Sequence, residues 1–238
     1  MTENPQARPA STVVLLRDSD RGLETLLLKR NKALTMAGGL WVFPGGAMDP
    51  EDLEAAGGDE EAASRIAAAR EALEETGLEP HMEDMVLLGH WTTPVVEPKR
   101  FSTWFYAAPL ARDEEVVIDG GEIHDSLWIT VREALALHHE GELGMLPPTY
   151  ITLRRLSVYD DVAQMLAGER SSPAPEVFPR IIDDHGHIAV LFRGDAGYES
   201  GDAADGTARH RAVLRGRSWE YIHSDVTDYP PLVEGACA

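Results

Sequence analysis

The sequence predicts an α+β fold, a mixed sheet flanked by helices and followed by a C-terminal stretch that is mainly strand. Three observations carry this expectation. Short runs rich in Val, Leu, Ile and aromatics recur between turn-forming residues; residues 59–76 have helical composition with a start and a stop signal; and strand-like runs resume after a Pro-containing break at 171–176.

Residues 1–10 are polar and contain Pro5 and Pro9, which predicts a flexible tail and order from about Ser11. The runs TVVLL (12–16) and TLLLKR (25–30) flank RDSDRGLE, whose Asp, Ser and Gly favour a turn, so the two form a hairpin. LWVF (40–43) is a third strand. Pro44-Gly45-Gly46 then stops any regular element and lets the backbone approach a ligand closely. Asp59 is the N-cap and Gly77 the C-terminal stop of a helix over 59–76. Strands follow at 85–93, 101–108 and 126–130, separated by Pro- or acid-rich turns. Thr130 and Glu133 resemble a capping box that opens a helix to about His139, and Pro147-Pro148-Thr149 leads into one further helix over 150–168. Beyond the break, HIAVLF, RHRAVL and WEYIH read as strands around an acidic loop at 195–206. The expected organisation is a domain over 11–168 with an extension, 169–238, packed on it.

Composition narrows the function classes. At 238 residues, 43% hydrophobic and 26% charged, the chain has ordinary globular usage. A formal net charge of -20 opposes binding to nucleic acid or anionic membranes, because both require clustered Lys and Arg. A single cysteine, Cys237, provides neither an intramolecular disulfide nor a CxxC metal site. No signal-peptide core or bilayer-length apolar run is present, and a cytoplasmic location is the expectation.

The helix carries the chemistry. At about 100° per residue, Ala62, Ile66, Ala69 and Leu73 form one apolar stripe for the core, while Glu71, Glu74 and Glu75 gather opposite. Arg70 sits four residues before Glu74 and pairs with it, leaving at least two carboxylates without an internal partner. Adjacent like charges are unfavourable unless a cation or water compensates them. Glutamate oxygens without cysteine suit a hard ion such as Mg2+ or Mn2+. With Gly45-Gly46 upstream to meet phosphates, the parts suit metal-assisted attack of water on a phosphoanhydride.

REALEETGL (70–78) matches the second half of the Nudix box, and the sequence resembles the Nudix hydrolase family over about 11–165. The resemblance implies a Nudix-type α/β/α sandwich with a mixed sheet. It implies that Glu71, Glu74 and Glu75 bind the metal ions, with Arg70 holding the glutamates and Gly46 shaping the loop and contributing to the metal site. A Glu that the family carries eight residues before the Arg is here Ala62, and the box holds an insertion; Glu60 or Glu61 is the expected substitute. A further acid completes such sites, and Glu122 is the first choice, as ligand or as base, ahead of Glu115, Glu97 and His124.

LLLKRNKALTMAGGLWVFPGG (26–46), including Arg30, resembles the segment preceding the box in Nudix enzymes that cleave coenzyme A, although the second Arg of that pattern falls at Thr35. Together with the insertion and TTPVVEPKRFSTWFYAA (92–108), this resembles the coenzyme A diphosphatase-like subgroup. The chain ends Ala-Cys-Ala, so a bacterial or cytosolic relative of the peroxisomal enzymes is expected. Arg30, Gly45, Gly46, Lys99 and Arg100 are the candidate contacts to a small-molecule diphosphate substrate. Trp41, Trp104 and Phe105 are candidates to stack on a base or to fill the core. A homodimer is compatible with the chain. Two other classes stay open, a noncatalytic Nudix-type ligand sensor and an isomerase acting on a diphosphate. His138, His139, His185 and His187 lack spaced cysteine partners, so zinc is not expected.

Overall fold

The computed structural model describes residues 6–32, 37–111, 114–118 and 120–233; Thr35 and Cys237 lie outside them. The predicted hairpin is β1 (Arg8–Ser19) and β2 (Gly22–Arg30), antiparallel, with Ser19 opposite Gly22. β1 starts three residues before the expected onset of order, because residues 8–10 pair in parallel with the start of a later strand over 101–109, Arg8 opposite Phe101. Those residues therefore belong to the sheet and not to a tail.

β3 is short, Trp41–Val42, and Gly45–Ala47 forms a further strand, β4, where the sequence predicted no regular element. β4 is antiparallel to β1, with Gly46 opposite Ser11 and Gly45 opposite Thr12. A Cβ at Gly45 would collide with the Thr12 side chain and main chain, so glycine is what allows this pairing. The insertion contains a helix that the sequence did not reveal, α1 (Pro50–Ala55), and α2 follows as Glu60–Thr76. Asp59 accepts from the Ala62 N–H at 2.9 Å and Gly77 adopts φ 73°, as the cap signals required.

β5 (Val86–Thr92), β6 (Phe101–Pro109) and β7 (Ile123–Thr130) extend the large sheet, in the order β3-β2-β1-β6-β5, with β4 beside β1 and β7 beside β2. β1 is buried on both faces. Val13 and Leu15 meet the α2 side with Ala68, Ala72, Tyr106 and Ile123, while Val14 and Leu16 meet the opposite layer. That layer contains α3 (Val131–His139), α4 (Pro147–Leu156) and α5 (Val162–Ser171). Thr130 caps α3 through the Glu133 N–H, but the Glu133 carboxylate pairs with Arg21 at 2.9 Å instead of closing a box. The single helix expected over 150–168 is two, because the Asp161 side chain accepts from the Gln164 N–H at 2.8 Å and starts α5 afresh.

β8 (Glu176–Val177) joins the large sheet beside β5, and β9 (Arg180–Asp184), β10 (His187–Leu191), β11 (Arg209–Arg215) and β12 (Ser218–Ser224) form a second, antiparallel sheet. Trp219 seats this sheet on the body, its indole N–H donating to Met145 and its backbone N–H to His138 Nε2, both at 2.9 Å. His138 is thus a buried structural histidine. No helix among the described residues is long and apolar enough to cross a membrane.

Candidate active site

α2 lies on the sheet through its smallest residues. Ala63, Ala67, Ala68 and Ala72 are fully buried, and the lack of side-chain bulk brings the helix close to β1 and β4. The expected stripe of Ala62, Ile66, Ala69 and Leu73 is not the core face, since Leu73 is 46% exposed. Glu75 follows Ala68 and Ala72 onto the buried side, at 8% exposure, and Glu71 is largely covered, while Glu74 faces solvent.

Both covered carboxylates meet the glycine strand. Gly45 N–H donates to Glu75 Oε2 at 2.9 Å, and a Cβ at Gly46 would overlap the Glu71 carboxylate. Arg70 binds the other side. Its Nη1 donates to Glu71 at 2.8 Å and to Glu74 at 3.4 Å, its Nη2 to the Ala47 carbonyl at 3.1 Å, and Nε and Nη2 form a fork on Asp52 at 3.2 and 3.0 Å. The carboxylates are therefore not unpartnered, but one guanidinium faces Asp52, Glu71 and Glu74, with Glu75 beyond, so negative charge remains in excess.

That excess and the burial appear in the titration of the site. Burial raises Glu75 to about 7 from an ordinary 4.5, opposed by the Gly45 N–H and reinforced by Glu71. Glu71 is also raised, first by burial, against the pull of Arg70. Among the described residues, no three of His, Cys, Asp or Glu are already gathered around a common ion position. The donor chemistry nevertheless fits a hard cation: oxygen ligands only, two of them held where ionisation is costly and a positive ion would relieve the cost, beside a glycine strand that crowds out any side chain.

Asp52 is the residue that the sequence reading missed. It is 4% exposed in α1 and also accepts from the Asp49 N–H at 2.8 Å. Of the expected substitutes, Glu60 is exposed and Glu61 pairs with Arg65 at 3.1 Å, so neither serves Arg70. Counting backward from Arg70 crosses the insertion and misleads. Counting forward six residues from Gly46 reaches Asp52. Asp52→Asn keeps the acceptor for Asp49 and removes the charge beneath Arg70; activity is expected to fall about 10- to 100-fold, the scale of losing a partner behind the ligands. Steady-state kinetics with Mg2+ titration checks this.

Arg30, at the end of β2, pairs with Glu122 at 2.8 Å, and both charges act on Glu75. The fold thus brings these two candidates to the glutamate cluster. Lys99 and Arg100 lie on the β5–β6 connection, where Arg100 Nε donates to the Thr93 carbonyl at 3.1 Å. Glu97 closes a turn there with Pro94, and Glu115 and His124 are exposed. Trp41 and Phe105 belong to the core, whereas Trp104 is half-buried and stacks on His90 with ring centroids 4.7 Å apart.

The glycine strand and the Arg-clasped glutamate helix both lie within a segment matched by a family model whose members are pyrophosphohydrolases acting on nucleoside diphosphate derivatives. The NUDIX domain family model matches residues 7–148 of the 238, and the chain belongs to that family, whose hydrolases generally use divalent metal ions. A NUDIX hydrolase from Alicyclobacillus acidocaldarius has a similar fold, with a TM-score of 0.63 and 24% identity over 71% of this chain and 99% of that one. A C. elegans Ap4A hydrolase aligns with a TM-score of 0.45 and 22% identity over 64% of this chain and 96% of the other. No curated protein matches the chain.

Proposed function

We propose that this protein hydrolyses the phosphoanhydride bond of a nucleoside diphosphate-linked substrate using Mg2+ or Mn2+, with coenzyme A or an acyl-coenzyme A as the substrate. The observation that carries the activity is the seating of Glu71 and Glu75 against the Gly45-Gly46 strand, with Arg70 bonded to Glu71 from the other side. Glu71, Glu74, Glu75 and the Gly46 carbonyl would hold the metal, which when bound neutralises phosphate charge and makes water a better nucleophile. Arg70 and Asp52 fix the glutamates, so little reorganisation is left for the reaction itself. Arg30 binds a phosphate, Glu122 accepts the proton of the attacking water, and Lys99 and Arg100 meet the distal part of the substrate. The coenzyme A assignment is supported by the resemblance of residues 26–46 and the position of Arg30 beside the glutamates.

The test is a Mg2+-dependent hydrolysis screen over coenzyme A, acyl-coenzyme A, ADP-ribose and dinucleoside polyphosphates, with products separated by chromatography. Cleavage of coenzyme A at its diphosphate is the expected result. Turnover of another diphosphate alone would discard the substrate assignment, and ligand binding without any turnover would establish a noncatalytic sensor. A rearranged product with no phosphate-containing fragment would establish an isomerase.

A further inference from the structure

β2 ends at Arg30 on a register shift. Lys29 stands opposite Asp125, but Arg30 stands opposite Ile123, and the skipped His124 forms a bulge. Main-chain hydrogen bonds hold this corner: Arg30 N–H donates to Leu40 at 3.1 Å, Gly39 N–H donates to the Arg30 carbonyl at 3.0 Å, and Asn31 N–H donates to the Glu122 carbonyl at 2.8 Å. Adjustment to a ligand therefore falls on the side chains.

The Arg30–Glu122 contact is incomplete. Nη2 donates to Glu122 Oε2 at 2.8 Å, yet Nε is buried with no hydrogen-bond partner among the described residues. Nε–H and Nη2–H project as parallel donors from one edge of the guanidinium, an edge that matches two oxygens of one anionic group. Glu122 fills half of that edge. The two side chains are also unequally anchored, with Arg30 22% exposed and Glu122 62% exposed. An ion pair open to water on one side is weak and easily exchanged. Both charges bear on Glu75, Arg30 lowering its pKa and Glu122 raising it, so the pair stands within electrostatic reach of the metal-binding carboxylates.

We propose that Glu122 occupies the place of a substrate phosphate on Arg30, and that the incoming diphosphate displaces it by taking both the Nε and the Nη2 donors. This rests on the function proposed above and adds an internal competitor to it. Before binding, Glu122 is tied to Arg30. Once the phosphate is seated, the carboxylate is released beside the glutamates, so the acid assigned to receive the water's proton becomes available only when substrate is present. Premature engagement of a metal or of water by Glu122 is thereby avoided.

The experiment measures binding of the non-hydrolysable probe α,β-methylene-ADP by calorimetry, with EDTA and separately with Mg2+. Glu122→Gln removes the competing charge while leaving the backbone contact to Asn31. It is expected to bind the probe about three- to fivefold more tightly, the worth of an exposed ion pair, and Glu122→Ala is expected to act in the same direction. Arg30→Gln is expected to weaken binding about tenfold or more, and on that background Glu122→Gln changes nothing, as a shared contact requires. In turnover, Glu122→Gln lowers both kcat and KM, whereas loss of a base alone lowers kcat and leaves KM in place. Probe binding by the wild type with unchanged or weaker affinity in both Glu122 variants would overturn the displacement and leave the hydrolase assignment standing. Failure of the wild type both to bind the probe and to hydrolyse any diphosphate would remove that assignment, and the displacement with it.

Discussion

Replacing Glu75 by Gln is expected to lower kcat by at least roughly 100-fold, the scale of removing a metal ligand from a phosphoryl-transfer site. The same substitution should make the metal-free protein more stable at pH 8. Gln keeps an oxygen for the Gly45 N–H, so the hydrogen bond at 2.9 Å survives while the buried charge is lost. The sign follows from the direction of the shift. Burial raises Glu75 to about 7 in the folded chain against 4.5 ordinarily, so below pH 4.5 both states are protonated and the group is neutral to stability. As pH rises from there through about 7, the unfolded chain sheds the proton first and wild-type stability falls, by about 3 kcal/mol at most. Denaturant unfolding in EDTA at pH 5 and pH 8 should show this decline in the wild type and a reduced slope in Glu75→Gln. Mg2+ should restore the wild type at pH 8 and do little for the variant. A variant that loses activity together with stability at pH 8 would mean that Glu75 is structural.

Trp219→Ala is expected to cost about 3–5 kcal/mol, because a buried indole is exchanged for a cavity and the Met145 carbonyl loses its indole N–H donor. For a chain of this size that corresponds to a fall in Tm of about 6–20 °C. Ile188→Ala, at a side chain 51% exposed on β10, is the control and should stay within about 0.5 kcal/mol. Calorimetry also tests whether residues 169–238 form an extension that depends on the body. Phe192 and Trp91, T-shaped with centroids 6.0 Å apart, share one core with Trp219 and Leu156, so wild-type unfolding is expected as one cooperative transition. Two separated transitions, with only one moved by Trp219→Ala, would show an independently folding unit.

Much of the site was legible because its signals are local. The Asp59 cap and the Gly77 stop each depend on a few neighbouring residues and appear where the sequence placed them, whereas Glu75 turns to the buried side and Gly45-Gly46 forms a strand. The helix face was misread for a definite reason. Alanine occurs nearly all around α2, so hydrophobicity alone favoured the larger Leu73, whereas close approach to β1 and β4 required the smallest side chains inward. Asp52 was hidden because the insertion separates it from Arg70 by 18 positions, and only the fold of α1 back onto α2 brings the pair to 3.0 Å.

The amino-acid order by itself determined the family, the acidic box helix and its caps, since these are written in short-range hydrogen bonding and residue chemistry. Tertiary structure decided which glutamates are buried, that Asp52 lies beneath Arg70, and that Arg30 and Glu122 meet within electrostatic reach of Glu75. Burial and charge pairing depend on what packs opposite, and the partners come from segments far apart along the chain. Residues 30 and 122 become neighbours only when β2 and β7 align with a bulge at His124.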